Sequence, residues 1–137
     1  MDLSKRGGPA VDDLPTPTGR ELEILKVLWE LGPASVRAVH DHLQPGDGEE
    51  LAYNTVQTLL RIMETKKLVS HHSEGRTFVY TPLFSREESA SRYLDRVFDG
   101  AASQLMISLL RAEKVSQTEL ELMQSLIADA RRKRIDR

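Results

Sequence analysis

Apolar residues recur at helical spacing in three stretches of the first half of the chain and three of the second, with a brief β-type pattern between them. In the first stretch Leu22, Leu25, Leu28 and Trp29 form one stripe, which predicts an amphipathic helix with that side buried. Thr18 can open it, because its hydroxyl accepts an amide N–H while Glu21, three residues on, returns the bond: a capping box. Gly32-Pro33 stops it. A second helix is predicted over residues 35–43, burying Val36, Val39 and Leu43. Residues 45–50 form a loop, Leu51 and Ala52 lead in, and a third helix buries Val56, Leu59, Leu60 and Met63 at i, i+3, i+4 and i+7. Two β-type runs follow, residues 68–73 and 77–81, joined at Glu74-Gly75-Arg76. Phe78 and Tyr80 share one face of the second run, and Pro82 ends the pairing because it has no N–H to extend the ladder.

Beyond Pro82 the pattern is helical alone. Ser85 and Glu88 form a second capping box, ahead of Ala90, Tyr93, Leu94, Val97 and Phe98, and Gly100 ends that helix. A short helix carries Leu105, Met106, Leu109 and Leu110. A last one opens at a third capping box, Ser116 with Glu119, and carries Leu120, Met123, Leu126, Ile127 and Ala130. Three helices this short with stripes this wide cannot all bury themselves within one subunit, so a second copy of the chain is the expected cover. Folding back onto the first half as a monomeric core is the alternative.

Helix, helix, helix and hairpin is the order of a winged helix-turn-helix, in which the third helix enters the major groove and the hairpin flanks it. The predicted fold is therefore mainly α with a small β-hairpin. It comprises a tail over residues 1–14, a winged domain over 15–83, a helical dimerisation region over 84–130 and a basic tail over 131–137. Trp29, on the apolar stripe of the first helix, is expected to pack in the core.

Composition narrows the function. A chain of 137 residues suffices for one modest domain with an appendage. It contains no apolar run long enough to span a bilayer. Residues 1–13 lack the apolar centre of a signal peptide, so a cytoplasmic location without membrane insertion is expected. Without cysteine there are no disulfides, thiol switches or thiolate metal sites. The net charge of −2 argues against a nucleic-acid partner until its distribution is considered. Residues 51–82 hold four basic and two acidic side chains, a local net charge of +2. Such a chain should grip DNA through a local patch.

Opposite its apolar stripe the third helix carries Asn54, Gln57, Thr58 and Arg61, side chains that can hydrogen-bond base edges or phosphates. Lys66 and Lys67 close the helix, where cations suit the dipole and can reach a phosphate, and Arg76 sits at the hairpin tip. The four histidines do not have metal-site spacing. His40 and His42 are two apart on a helix, and the adjacent His71 and His72 face opposite sides of a strand. All four are expected at the surface or in the wing, with His71 or His72 able to touch a phosphate. With no phosphate loop and no nucleophile beside a base, neither an enzyme nor a cofactor is expected.

One set of residues resembles a known family. The runs are Thr18-Gly19-Arg20-Glu21, Leu25-Lys26-Val27-Leu28-Trp29, Gly32-Pro33, Tyr53-Asn54-Thr55-Val56-Gln57-Thr58-Leu59-Leu60-Arg61, Gly75-Arg76-Thr77-Phe78-Val79-Tyr80-Thr81-Pro82 and Ser85-Arg86-Glu87-Glu88. In that order and spacing they are similar to the BlaI/MecI-type penicillinase repressors, over residues 18–127. The resemblance implies a homodimeric repressor on an inverted-repeat operator of double-stranded DNA, with Thr55, Gln57, Thr58 and Arg61 facing the DNA and the helices after Ser85 interlocking the subunits. It further implies induction through a membrane sensor protease system that leads to cleavage within the dimerisation region. The family's Asn-Phe cleavage site aligns with Ser108-Leu109 here. The clustered cysteines of copper-responsive relatives are missing. A winged-helix protein-interaction module and a ligand-sensing regulator remain as alternatives.

Overall fold

The computed structural model describes residues 16–43 and 51–135. The expected tail at 1–14, the loop at 45–50 and the last two residues lie outside the described residues. Helix α1 (Gly19–Leu31) starts at the expected capping box: Thr18 Oγ1 accepts from the Glu21 amide at 3.2 Å, and Glu21 Oε1 accepts from the Thr18 amide at 2.8 Å. It ends at Gly32, whose φ of 79° and ψ of −162° suit glycine. The buried side is broader than the expected stripe and rotated from it. Ile24, Leu25, Val27 and Leu28 are buried, whereas Leu22 and Trp29 are half-buried. The cause is tertiary, since α1 is covered from several directions by two other helices and the sheet.

The sheet has three strands where the sequence predicts a two-stranded hairpin. Strand β1 (Ala34–Ser35) pairs antiparallel with β3 (Thr77–Pro82) through Ala34 opposite Tyr80 and Ser35 opposite Val79. Two residues are too few to show an alternation, so the strand leaves no trace in the pattern. On its other side β3 pairs with β2 (Val69–Glu74) in unbroken register from Val69 opposite Pro82 to Glu74 opposite Thr77. Gly75 turns the hairpin with φ 63° and Arg76 stays at negative φ, the type II′ pattern that matches strand twist.

Helix α2 (Val36–His42) is capped by Ser35 Oγ, which accepts from the Ala38 amide at 3.1 Å, and buries Val36 and Val39. Leu43, expected inside this helix, is its half-buried C-cap with extended backbone. His40 Nε2 lies 2.9 Å from the carbonyl oxygen of Leu51, tying α2 to the approach of α3 (Tyr53–Thr65). Helix α3 fully buries Val56, Leu60 and Met63, with Leu59 packed at the margin. It ends in a Schellman motif: the Leu68 amide donates to Met63 O at 2.9 Å and the Lys67 amide to Glu64 O at 3.0 Å. This places Lys67 in the left-handed region at φ 66°. Leu68, Val69, Tyr80 and Phe84 complete the core from the sheet side.

Helices α4 (Arg86–Phe98), α5 (Ala102–Arg111) and α6 (Gln117–Ile135) follow, and none has a buried residue. Capping boxes hold the starts of α4 and α6 as expected, Ser85 with Glu88 and Ser116 with Glu119. Asp99, at φ 51°, already breaks α4 before Gly100. The basic run 131–134 is the exposed end of α6, helical to Ile135, with Arg132 paired to Asp129 one turn back. Helix α4 packs on α5, while α6 has at most marginal contact with the other elements.

Trp29 joins the two halves. Its indole N–H donates to Phe84 O at 2.9 Å, its ring meets Phe84 edge-on, and the Arg86 guanidinium lies over it. It is half-buried and packs against the core, as expected, and in addition ties the two halves together.

Candidate nucleic-acid interface

The polar face of α3 divides into two rows. Asn54, Thr55 and Thr58 are exposed on the outer side. Tyr53, Gln57 and Arg61, spaced i, i+4 and i+8, turn toward the wing and line a cleft of about 510 Å³ between α2, α3 and β3. Its far wall is Phe78, Thr77 and Arg76, and Arg37 enters from α2 with its guanidinium 5.3 Å from the centre of the Tyr53 ring.

The wing is fastened to α3 by a salt-bridge geometry that sequence reasoning missed. Glu64, one turn beyond Arg61, lies 2.6 and 2.7 Å from His71 Nδ1 through its two oxygens and accepts from the His71 amide at 3.2 Å. Because a carboxylate only accepts, Nδ1 carries the proton of this bond. The His71 ring stacks on Phe78 at 4.3 Å. Burial, and then the Glu64 carboxylate, push the Tyr80 hydroxyl pKa up, while Arg61 opposes them. His71, expected as a possible phosphate contact, thus has its Nδ1 committed within the protein. His72 faces the other way, exposed, with Nε2 3.6 Å from Glu74.

The two lysines at the end of α3 have different surroundings. Lys67 is exposed. Lys66 reaches back to α1, its Nζ donating to Glu21 Oε1 at 2.9 Å and Oε2 at 3.0 Å. Glu21 is 1 % exposed. Burial by itself would raise its pKa, but the Lys66 ammonium and the bonds from Thr18 outweigh burial and hold the carboxyl below its ordinary value. Lys66, expected to contact phosphate, is therefore held in an internal ion pair.

The structure gathers Gln57, Arg61 and Arg76 in one cleft, with Asn54, Thr55 and Thr58 beside it and Lys67 at the far end of α3. Arg37 is the charged cleft residue that sequence reasoning did not single out. Arg37 follows a buried valine on a seven-residue helix, and nothing in the periodicity separates it from any other solvated arginine.

None of the apolar residues expected at a subunit interface is fully buried in the single chain. Tyr93, Val97, Leu110, Leu126 and Ile127 are exposed, and Leu94, Phe98, Leu105, Met106, Leu109, Leu120 and Met123 are half-exposed. Ser108 and Leu109 sit inside α5, where Ser108 O accepts the Ala112 amide at 3.0 Å. Among the described residues, no helix is long and apolar enough to cross a membrane and no group of three or more His, Asp or Glu is placed to hold a metal.

Three helices, a short first strand, a β-wing locked to the third helix, and a cleft lined by three arginines define a winged helix-turn-helix of the kind used by DNA-binding transcription regulators. More particularly, the chain belongs to the penicillinase repressor family, whose model matches residues 17–129, and is a repressor of the BlaI/MecI type. It is 29% identical to the penicillinase repressor of Bacillus licheniformis over 126 residues, covering 88% of this chain and 97% of that protein. A 16.5 kDa protein encoded in the ptsI 3′ region of Latilactobacillus sakei is likewise 29% identical over 118 residues, with 82% and 80% covered. Among solved structures, the Bacillus licheniformis BlaI monomeric form in complex with the blaP half-operator matches at 32% identity and a TM-score of 0.45, covering 55% of this chain and 89% of that one.

Proposed function

We propose that this protein is a homodimeric transcriptional repressor that binds an inverted-repeat operator in duplex DNA, one winged domain to each half-site. The observation that carries this reading is the α3–wing surface. A helix with an uncharged, hydrogen-bonding outer row lies beside a cleft lined by arginines, on a domain whose wing is anchored to that helix. Asn54, Thr55 and Thr58 are of the size and chemistry that read base edges and thymine methyls, while Arg61, Arg76 and Lys67 supply positive charge for the backbone. Family membership supports the repressor class.

Dimerisation is supported by the state of α4, α5 and α6, which have no fully buried residue within one subunit and expose apolar side chains along their length. A two-fold pair would cover them and set two α3 helices to face successive major grooves. Relief of repression follows from the same arrangement. Cutting α5 between Ser108 and Leu109 would separate the end of α5 and all of α6 from the DNA-binding domain, leaving α4 attached, and so weaken the pairing that holds two winged domains on one operator. Because this bond lies within a regular helix, a protease must first unwind α5 there.

Footprinting of purified protein on the DNA upstream of its own coding sequence tests the reading. A protected inverted repeat, filled by two chains, is the expected result. Binding to duplex DNA with no protected site, or protection by a single chain of one half-site only, would overturn the dimeric operator model.

A further inference from the structure

Arg37, Arg61 and Arg76 come from three different elements, α2, α3 and the wing turn, and line the same cleft of about 510 Å³. No carboxylate lines that cleft, and among the described residues none of the three arginines has an acidic partner. The nearby carboxylates are engaged elsewhere: Glu64 holds His71 and Glu74 faces His72. Three like charges collected around one concavity repel each other, and an oxyanion placed among them removes that cost. Ser35, Gln57 and Thr77 line the same walls and add donors of the right type. Arg37 is oriented there by the face of Tyr53, which leaves its N–H fork available.

Resting on the reading of this surface as a DNA-binding one, we infer that the three arginines form a single oxyanion site and that its occupant is one backbone phosphate of duplex DNA. Arg37 is thereby part of the interface although it lies outside both the recognition helix and the wing. Arg61 positions the helix on the backbone, and base reading falls to Asn54, Thr55 and Thr58.

Salt dependence distinguishes one shared phosphate from three separate contacts. Binding of the full chain to a short random-sequence duplex is measured between about 50 and 200 mM salt for the wild type, for Arg37→Gln, Arg61→Gln and Arg76→Gln singly, and for the triple variant. One shared phosphate predicts that the triple variant lowers the log–log salt slope by about 0.9, so that the wild type loses about 3.5-fold more affinity than the variant across that range. Each single variant should already show most of the affinity loss. A fall of about 2.7 in slope, built up additively, would mean three independent phosphates and would overturn the shared site. So would an unchanged slope in a triple variant that keeps the wild-type helical signal. If the wild type binds no duplex at all, the DNA-binding reading itself fails. Titration of the Ser35, Gln57 and Thr77 backbone amide resonances with inorganic phosphate at constant ionic strength covers the other source. A response there that is lost in the triple variant, with an unchanged DNA slope, would assign the site to a free oxyanion and refute the backbone as its occupant.

Discussion

The ion pair between Lys66 and Glu21 joins residues 45 positions apart and can be tested by Lys66→Met, which keeps the length of the side chain and removes the charge. The substitution leaves a carboxylate that is 1 % exposed with only the bond from the Thr18 amide. Breaking a buried pair from one side costs about 3–5 kcal/mol. Lys66 is about one-third exposed, so water screens part of the interaction, and a loss of about 2–3 kcal/mol is expected. For a domain of this size that lowers Tm by roughly 10–20 °C. Urea unfolding and thermal melts of Lys66→Met, Glu21→Gln and the double variant measure it. The double variant should lie closer to the wild type than the sum of the singles, because removing both charges leaves none buried alone. Acid adds a second check. The folded pKa of Glu21 lies below its unfolded value, so its contribution is complete above the ordinary value of 4.5 and is lost as pH falls through the folded value. The gap between wild type and Lys66→Met should therefore narrow below pH 4.5. A Lys66→Met chain as stable as the wild type at neutral pH, with weaker DNA binding, would refute the internal role and return Lys66 to the interface.

Four further outcomes are expected. Lys67→Gly should raise stability by about 0.5–1 kcal/mol in urea unfolding, since a lysine at φ 66° is strained where glycine is not; a loss of stability would count against that strain. Thr58→Ala should cost about 1–3 kcal/mol against the operator and much less against random duplex, and equal losses on both would remove Thr58 from base reading. Leu126→Asp should leave the winged domain folded but weaken the dimer by about 3–6 kcal/mol, counting both copies, roughly 10² to 10⁴ in Kd by sedimentation; an unchanged dimer would exclude Leu126 from the interface. Trp29→Phe should cost about 1 kcal/mol by removing the N–H donor to Phe84 O, with the lost stability read by thermal melts.

Much of the architecture was legible in local signals. Three capping boxes marked helix starts at Thr18, Ser85 and Ser116, and the i, i+3, i+4 stripe of Val56, Leu59, Leu60 and Met63 set the inner side of the third helix. Glu74-Gly75-Arg76 marked the wing tip. These features depend on residues within one or two turns of each other, where periodicity and backbone preference act directly. The polar side of α3 was legible in the same way, as a side but not as two rows with different surroundings.

What lay beyond the linear pattern depended on meetings between distant segments. Strand β1 exists because β3 arrives beside Ala34 and Ser35. Glu21 reads as a capping residue alone until Lys66 reaches it, and the N–H of Trp29, whose ring packs against the core, finds its acceptor in Phe84 O, 55 positions away. Glu64 takes up the Nδ1 of His71, and Arg37, unremarkable on its helix, enters the cleft with Arg61 and Arg76. Periodicity along a chain specifies which side of an element is buried and leaves open what it is buried against, because that depends on how separate elements dock. The partners of charged and aromatic side chains are set at that docking step, and the proposed phosphate site belongs to it.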